Sequence, residues 1–147
     1  MKLNVLFLCT GNSARSQMAE ALLRARHSDL FVPFSTWLEP KGMNPFTIKT
    51  LDEIGISTKG QYSKGLATYL GKQFFTYLIT VCADAEEKCP TVWPGVKFRL
   101  HWKFDDPAAF VGSEEDKLAE FRRIRNQIDA QLATWVAEIR EKQAANA

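Results

Sequence analysis

The chain is poor in cysteine. Three cysteines in 147 residues, an odd number, exclude a framework of paired disulfides as the main support of the fold. Cys9, Cys82 and Cys89 are left as inert core thiols, metal ligands or redox groups. Histidine is scarcer still, and neither His27 nor His101 has ligand-like spacing. The step from Cys82 to Cys89 is longer than the about two to four intervening residues of a zinc knuckle. No metal site is expected. An excess of one charge is also missing, since 19 basic against 17 acidic residues leave +2. With no basic arm either, a nucleic-acid partner is not expected. No apolar run approaches the ~18 residues of a membrane span, and no signal-peptide pattern precedes the first strand. The reading is an unexported, cytoplasmic protein without a membrane partner. There is no internal repeat, low-complexity stretch or linker. Residues 1–147, 46% apolar, read as one domain with a proper core, expected to be a monomer.

The apolar segments alternate in type. Leu3 to Leu8 is continuously apolar apart from Asn4 and reads as a buried strand. A helix is predicted from Ser16, with Met18, Ala21, Leu22 and Ala25 at helical spacing and Arg24 and Arg26 in its last turn. Leu30 to Ser35 is a second strand. Gly42 marks a turn, and Asn44-Pro45 is an N-cap followed by proline at the first helical position, opening a helix through Leu51 and Ile54 to Gly55. The run "STKGQYSKGLATYLGKQ" predicts a turn and a short helix, "FFTYLITVC" a third strand and "VKFRLHW" a fourth. Ser113-Glu114-Glu115-Asp116 resembles a capping box. It opens a long helix with Leu118, Phe121, Ile128, Leu132, Trp135 and Ile139 on one face, expected to fray from Ala144. Strands alternating with helices predict an α/β fold, a four-stranded parallel sheet with helices on both faces. Sites on such sheets form beyond the carboxyl ends of the strands, where Cys9 and Cys82 both fall.

Cys9 opens the run Thr10-Gly11-Asn12-Ser13-Ala14-Arg15-Ser16. The Cys-x5-Arg spacing alone carries little weight; its context carries more. The run joins a buried strand to a helix N-terminus, and Gly11 and Asn12 are residue types that tolerate left-handed backbone. A loop wrapped in this way aims successive N–H groups inward as an anion nest, and the helix adds its positive end. Arg15 offers a planar fork to two oxygens of a tetrahedral oxyanion. The same surroundings activate the thiol. An ordinary cysteine is ~3% thiolate at pH 7, whereas helix N-termini and cations lower its pKa to ~3.5–7.5. Ser16 is placed to donate a hydrogen bond to the sulfur. The bland alternative is a buried strand-end cysteine with Arg15 on a solvated turn.

Cys82 and Cys89 bracket the polar segment Ala83-Asp84-Ala85-Glu86-Glu87-Lys88. They are either unrelated thiols or a relay. If the segment is helical when reduced, their Cα atoms lie roughly 10 Å apart, while a disulfide needs less than ~7 Å. Oxidation would then unwind the segment and present the disulfide to a reductant. Asp105-Asp106-Pro107 is an ordinary turn signal, but a carboxylic acid near an oxyanion cradle can also protonate a departing oxygen. Asp106 is the better candidate, because Pro107 rigidifies its loop. His101 and Trp102 are assigned no chemistry.

Taken together, "CTGNSARSQMAEALLR", "EPKGMNPFTIKTLDEIGI", "CADAEEKCP", "HWKFDDPAAF" and "EEDKLAEFRRIRNQI" resemble the thioredoxin-coupled arsenate reductases, which share a fold with the low-molecular-weight tyrosine phosphatases. The likeness covers nearly the whole chain. It implies that Cys9 attacks arsenate held by Thr10, Gly11, Asn12, Ser13, Ala14, Arg15 and Ser16, with Asp106 as the acid. It implies further that Cys82 and Cys89 pass the resulting disulfide outward to thioredoxin, with no resident metal or flavin. The phosphatases share the first loop and an Asp-Pro acid but typically lack the second cysteine pair, so phosphatase activity is the alternative. A non-catalytic oxyanion or redox sensor is a third reading. Trp37 stands where relatives usually have a glycine, so the turn after the second strand is expected to differ. Some relatives bind potassium near the first loop. Asn12 and Glu20 match that set, but Lys64 stands about where an acid would be, which predicts a weak or absent site.

Overall fold

The structure is a computed structural model that describes residues 2–9, 14–37, 43–61, 65, 68–69, 71–81 and 95–146. Four parallel strands, β1 (Leu3–Cys9), β2 (Phe31–Trp37), β3 (Phe75–Thr80) and β4 (Val96–His101), form one sheet in the order β2-β1-β3-β4. Helices α1 (Ala14–His27), α2 (Pro45–Asp52) and α3 (Glu114–Ala145) accompany it, with a 3₁₀ turn at Pro107–Ala109. The expected α/β class and parallel sheet are therefore present. β1 lies between two neighbours, and Val5, Leu6, Phe7, Leu8 and Cys9 are fully buried, as a continuously apolar strand requires.

Alternation along the strands sorts the two faces. Phe7 packs on Trp102 with centroids 6.4 Å apart. Trp135 of α3 then reaches across the sheet to Phe31 at 5.0 Å, Tyr77 at 5.1 Å and Trp102 at 5.4 Å. This one side chain seats α3 on β2, β3 and the end of β4. On the opposite face, Phe34 of β2 meets Tyr69 at 5.5 Å. The predicted face of α3 is buried throughout, together with Ile124, Arg125 and Val136.

Element ends show where local signals stop short. α1 begins at Ala14, two residues ahead of Ser16. β2 continues past Ser35 to Trp37, because Trp37 is in register with Cys9. Asn44 caps α2 by accepting from the Phe46 N–H at 2.9 Å, with Pro45 at the first helical position. That helix ends at Asp52, earlier than Ile54: Leu51 O receives both Ile54 N and Ile56 N, and Gly55 supplies the positive φ of 74° that the turn needs. Ser113 Oγ accepts from the Asp116 N–H at 3.1 Å, the forward half of the predicted capping box. α3 stays helical through Ala145, beyond the fraying expected from Ala144, in keeping with alanine's helix propensity. Gly42, and residues 62–64, 66–67 and 70 of the run read as a turn and a short helix, lie outside the described residues.

Candidate active site

The site forms at the carboxyl end of the sheet. Cys9 is the last residue of the central strand and is fully buried. α1 starts five positions later and carries Ala14, Arg15 and Ser16, all buried, in its first turn. No acidic residue sits in that turn, so the positive helix end is not countered from within the helix. Thr10, Gly11, Asn12 and Ser13, the rest of the expected cradle, lie outside the described residues.

Arg15 is held from the far side of the chain. Its Nη1 donates to the Phe104 carbonyl at 2.9 Å, a buried bond, and its Nη2 lies 3.7 Å from Asp106 Oδ2. The second distance is an ion-pair contact, longer than a hydrogen bond. Asp106 also caps the 3₁₀ turn, its Oδ1 accepting from the Ala108 N–H at 3.0 Å with Pro107 next in the chain. The neighbouring carboxylates are thereby sorted. Asp106 faces Arg15, while Asp105 is largely exposed and meets Arg123 of α3 at 3.3 Å. The structure thus brings Arg15 and Asp106 together.

Cys82 and Cys89 lie outside the described residues. The chain immediately before Cys82 is fixed: Val81 donates its N–H to Leu8 O at 3.1 Å, and Leu8 is in register with Thr80. The ends of β3 and β1 therefore lie side by side, with Val81 the last described residue before Cys82.

Sequence reasoning missed three features here. The Phe104 carbonyl as an anchor for Arg15 has no local signal. A polar network behind α1 was not expected, Glu20 having been named only for its match to a potassium-binding set in some relatives. That buried carboxylate accepts from Ser35 Oγ at 2.7 Å and Arg24 Nη2 at 2.6 Å. Arg24 continues to Gln61 Oε1 at 3.0 Å, and Gln61 Nε2 reaches Gln17 Oε1 at 2.6 Å. The i,i+4 spacing of Glu20 and Arg24 was a readable signal; Gln61 gave none. The third is a contact of 2.6 Å between Thr80 Oγ1 and His101 Nδ1 across β3 and β4. Among the described residues, no group of three or more His, Cys, Asp or Glu is placed to hold a metal ion. No described helix is long and apolar enough to cross a membrane.

A parallel α/β sheet with a buried cysteine ending its central strand, an arginine in the following helix turn and an opposed aspartate defines a class of α/β domain with a thiol, a guanidinium and a carboxylate at the carboxyl end of its sheet. The particular family follows from comparison. The profile described as low molecular weight phosphotyrosine protein phosphatase matches residues 4–145, and the chain belongs to that family. Among curated relatives, the arsenate reductase of Bacillus subtilis (strain 168) is 41% identical over 128 residues, covering 87% of this chain and 91% of its own. That of Oceanobacillus iheyensis is 41% identical over 132 residues, covering 89% and 93%. A solved arsenate reductase in the phosphate binding state superimposes with a TM-score of 0.77 at 27% identity, covering 95% of this chain and 99% of its own. The fold is also that of a low molecular weight protein tyrosine phosphatase from T. tengcongensis, at a TM-score of 0.71 and 17% identity, covering 93% and 99%.

Proposed function

We propose that this chain reduces arsenate to arsenite through a three-cysteine relay regenerated by thioredoxin. The observation that carries the reading is the approach of β3 to β1. Val81 is bonded to Leu8 directly before Cys82, and Leu8 directly precedes Cys9. The curated arsenate reductases at about 40% identity support the same chemistry.

In this account the amides of residues 10–14 and the Arg15 guanidinium hold the oxyanion, and Ser16 donates to the Cys9 sulfur. The Cys9 thiolate attacks arsenic(V), and Asp106 protonates a departing oxygen. Water leaves, and the arsenic is bonded to Cys9 Sγ. Cys82 then attacks Cys9 Sγ. A sulfur–sulfur bond forms, the sulfur–arsenic bond breaks, and its electron pair stays on arsenic, which departs as arsenite. Cys89 attacks Cys82, restoring the Cys9 thiolate and moving the disulfide to Cys82–Cys89. The thioredoxin dithiol reduces that bond, so its two electrons balance the change from arsenic(V) to arsenic(III).

No resident cofactor enters these steps. Potassium at Glu20 is not favoured either, because the Arg24 guanidinium and the Ser35 hydroxyl already engage that carboxylate. The set of Cys9, Arg15 and Asp106 also suits phosphate-ester hydrolysis as a side activity, since phosphate and arsenate share shape and charge. The test is arsenate-dependent NADPH oxidation with thioredoxin and its reductase. Wild-type protein should turn over continuously, whereas Cys89→Ser should stop after one arsenite per chain. Continuous turnover by Cys89→Ser contradicts the relay.

A further inference from the structure

We infer that a groove between β4 and the C-terminal half of α3 binds a small planar aromatic anion. β4 is an edge strand, since the sheet order is β2-β1-β3-β4. Trp135 seats α3 on Tyr77 of β3 at 5.1 Å. Phe98 of β4 lies beyond that contact and is 47% exposed. Two adjoining hollows follow this seam, and both are lined by Tyr77, Phe98, Ile139 and Lys142. The first, about 320 Å³, adds Trp102 and Glu138. The second, about 410 Å³, adds Leu3, Thr76 and Lys97. Leu3 opens β1 and Thr76 is the second residue of β3. The second hollow therefore lies at the amino ends of the strands, the opposite end from Cys9. Its volume falls within the ~300–1,000 Å³ of small-ligand sites.

The floor sets the shape of the ligand. Tyr77 and Phe98 are register partners, and their rings stack at 5.3 Å with an interplanar angle of 26°. The half-exposed Phe98 ring thus extends an ordered aromatic surface, on which a further flat ring can stack with an offset. Buried Ile139 bounds the groove on the α3 side. A ring laid here removes exposed apolar surface from water.

The charges set its sign. The second hollow is lined by two lysines, Lys97 and Lys142, and by no acidic residue. Lys97 and Phe98 alternate along β4, yet the Lys97 Nζ stands 5.4 Å from the Phe98 ring centroid. Its side chain therefore folds back towards the groove, while Lys142 approaches from α3. Neither ammonium forms an ion pair with a described residue. The negative end of α3 is worth about half a charge and is outweighed by the pair. Thr76 and Asn146 add a hydroxyl and an amide to the same lining. Glu138 lines only the first hollow and would repel an anion there. The ring accordingly lies on Tyr77 and Phe98, with its carboxylate or sulfonate turned towards Lys97 and Lys142.

The test titrates the full chain with naphthalene-2-sulfonate by calorimetry, with uncharged 2-naphthol as the ring-matched control. The sulfonate should bind with a stoichiometry of about one and roughly tenfold more tightly than naphthol. Lys97→Gln combined with Lys142→Gln should weaken the sulfonate about tenfold and change naphthol little. Phe98→Ser, at a half-exposed position, should weaken both. No binding at millimolar sulfonate overturns the inference, as does equal affinity for the two probes. Binding abolished by Arg15→Lys but kept by Phe98→Ser would place the probe in the oxyanion cradle and also overturn it. So would a dimer, seen by sedimentation, that Phe98→Ser dissolves, because a second copy would then cover the groove.

Discussion

Arg15 donates to the backbone carbonyl of Phe104 at 2.9 Å, a buried bond between residues 89 apart in the chain. A guanidinium fixed at one nitrogen by a carbonyl is preoriented, so substrate binding need not order it. Lysine keeps the charge but neither the fork nor this anchor. Arg15→Lys is therefore expected to lower kcat/KM for arsenate by about 100-fold. Steady-state kinetics check this; a loss of only a few-fold would mean that charge alone suffices.

Asp105 and Asp106 should separate cleanly. Asp106 faces Arg15, whereas Asp105 faces Arg123 at the surface. Asp106→Asn retains a good capping side chain but loses the proton, so arsenate turnover should fall by about two to four orders of magnitude with the melting temperature nearly unchanged. Asp105→Asn should leave turnover close to wild type. Equal losses in both variants would remove the basis for assigning the acid.

The fold and the described part of the candidate site were legible in the sequence to different depths. β1, the body of α1 and the buried face of α3 follow from short-range pattern, since an apolar run and a 3.6-residue period need no tertiary information. The choice of Asp106 over Asp105 came from Pro107, and the structure pairs Asp106 with Arg15. Features that depend on distant chain were hidden. Phe104 contributes a backbone carbonyl, which no side-chain pattern encodes. Arg125 falls at a core-facing position but reads as a surface residue until the C-terminus of α2 is seen to cover it. The contact of His101 with Thr80 joins two strands, so no local pattern shows it. The extension of β2 to Trp37 likewise follows from pairing with Cys9, not from local propensity.

Arg125 joins α3 to α2. It is buried, and its Nη1 donates to Thr50 O at 2.7 Å and lies 3.3 Å from Glu53 Oε1. Arg125→Ala strands a buried carbonyl and loses packing, and should cost about 2–3 kcal/mol. Denaturant unfolding measures it. A cost near zero would show that the clamp is incidental.

Glu53 adds a pH dependence. The hydrogen-bonded Arg122 guanidinium holds the Glu53 carboxyl below its ordinary value of 4.5. A depressed folded-state pKa stabilises the fold above the unfolded value and ceases to do so as pH falls through the folded one. The stability gap between wild type and Glu53→Gln should therefore be steady near neutrality and close as the medium is acidified below that range. A gap that widens on acidification would reverse the sign.

Glu20 is already matched by Arg24. Potassium chloride should accordingly raise the melting temperature no more than an equal concentration of tetramethylammonium chloride. A potassium-specific rise would show that the carboxylate still binds the ion.

The central claim is that a phosphatase-like cradle is turned into a reductase by the second cysteine pair. Cys82→Ser tests it most directly, assayed for arsenate reduction with thioredoxin and for hydrolysis of para-nitrophenyl phosphate. The account predicts that arsenate turnover is abolished while the hydrolysis supported by Cys9, Arg15 and Asp106 continues. Sustained arsenate reduction by Cys82→Ser would contradict it.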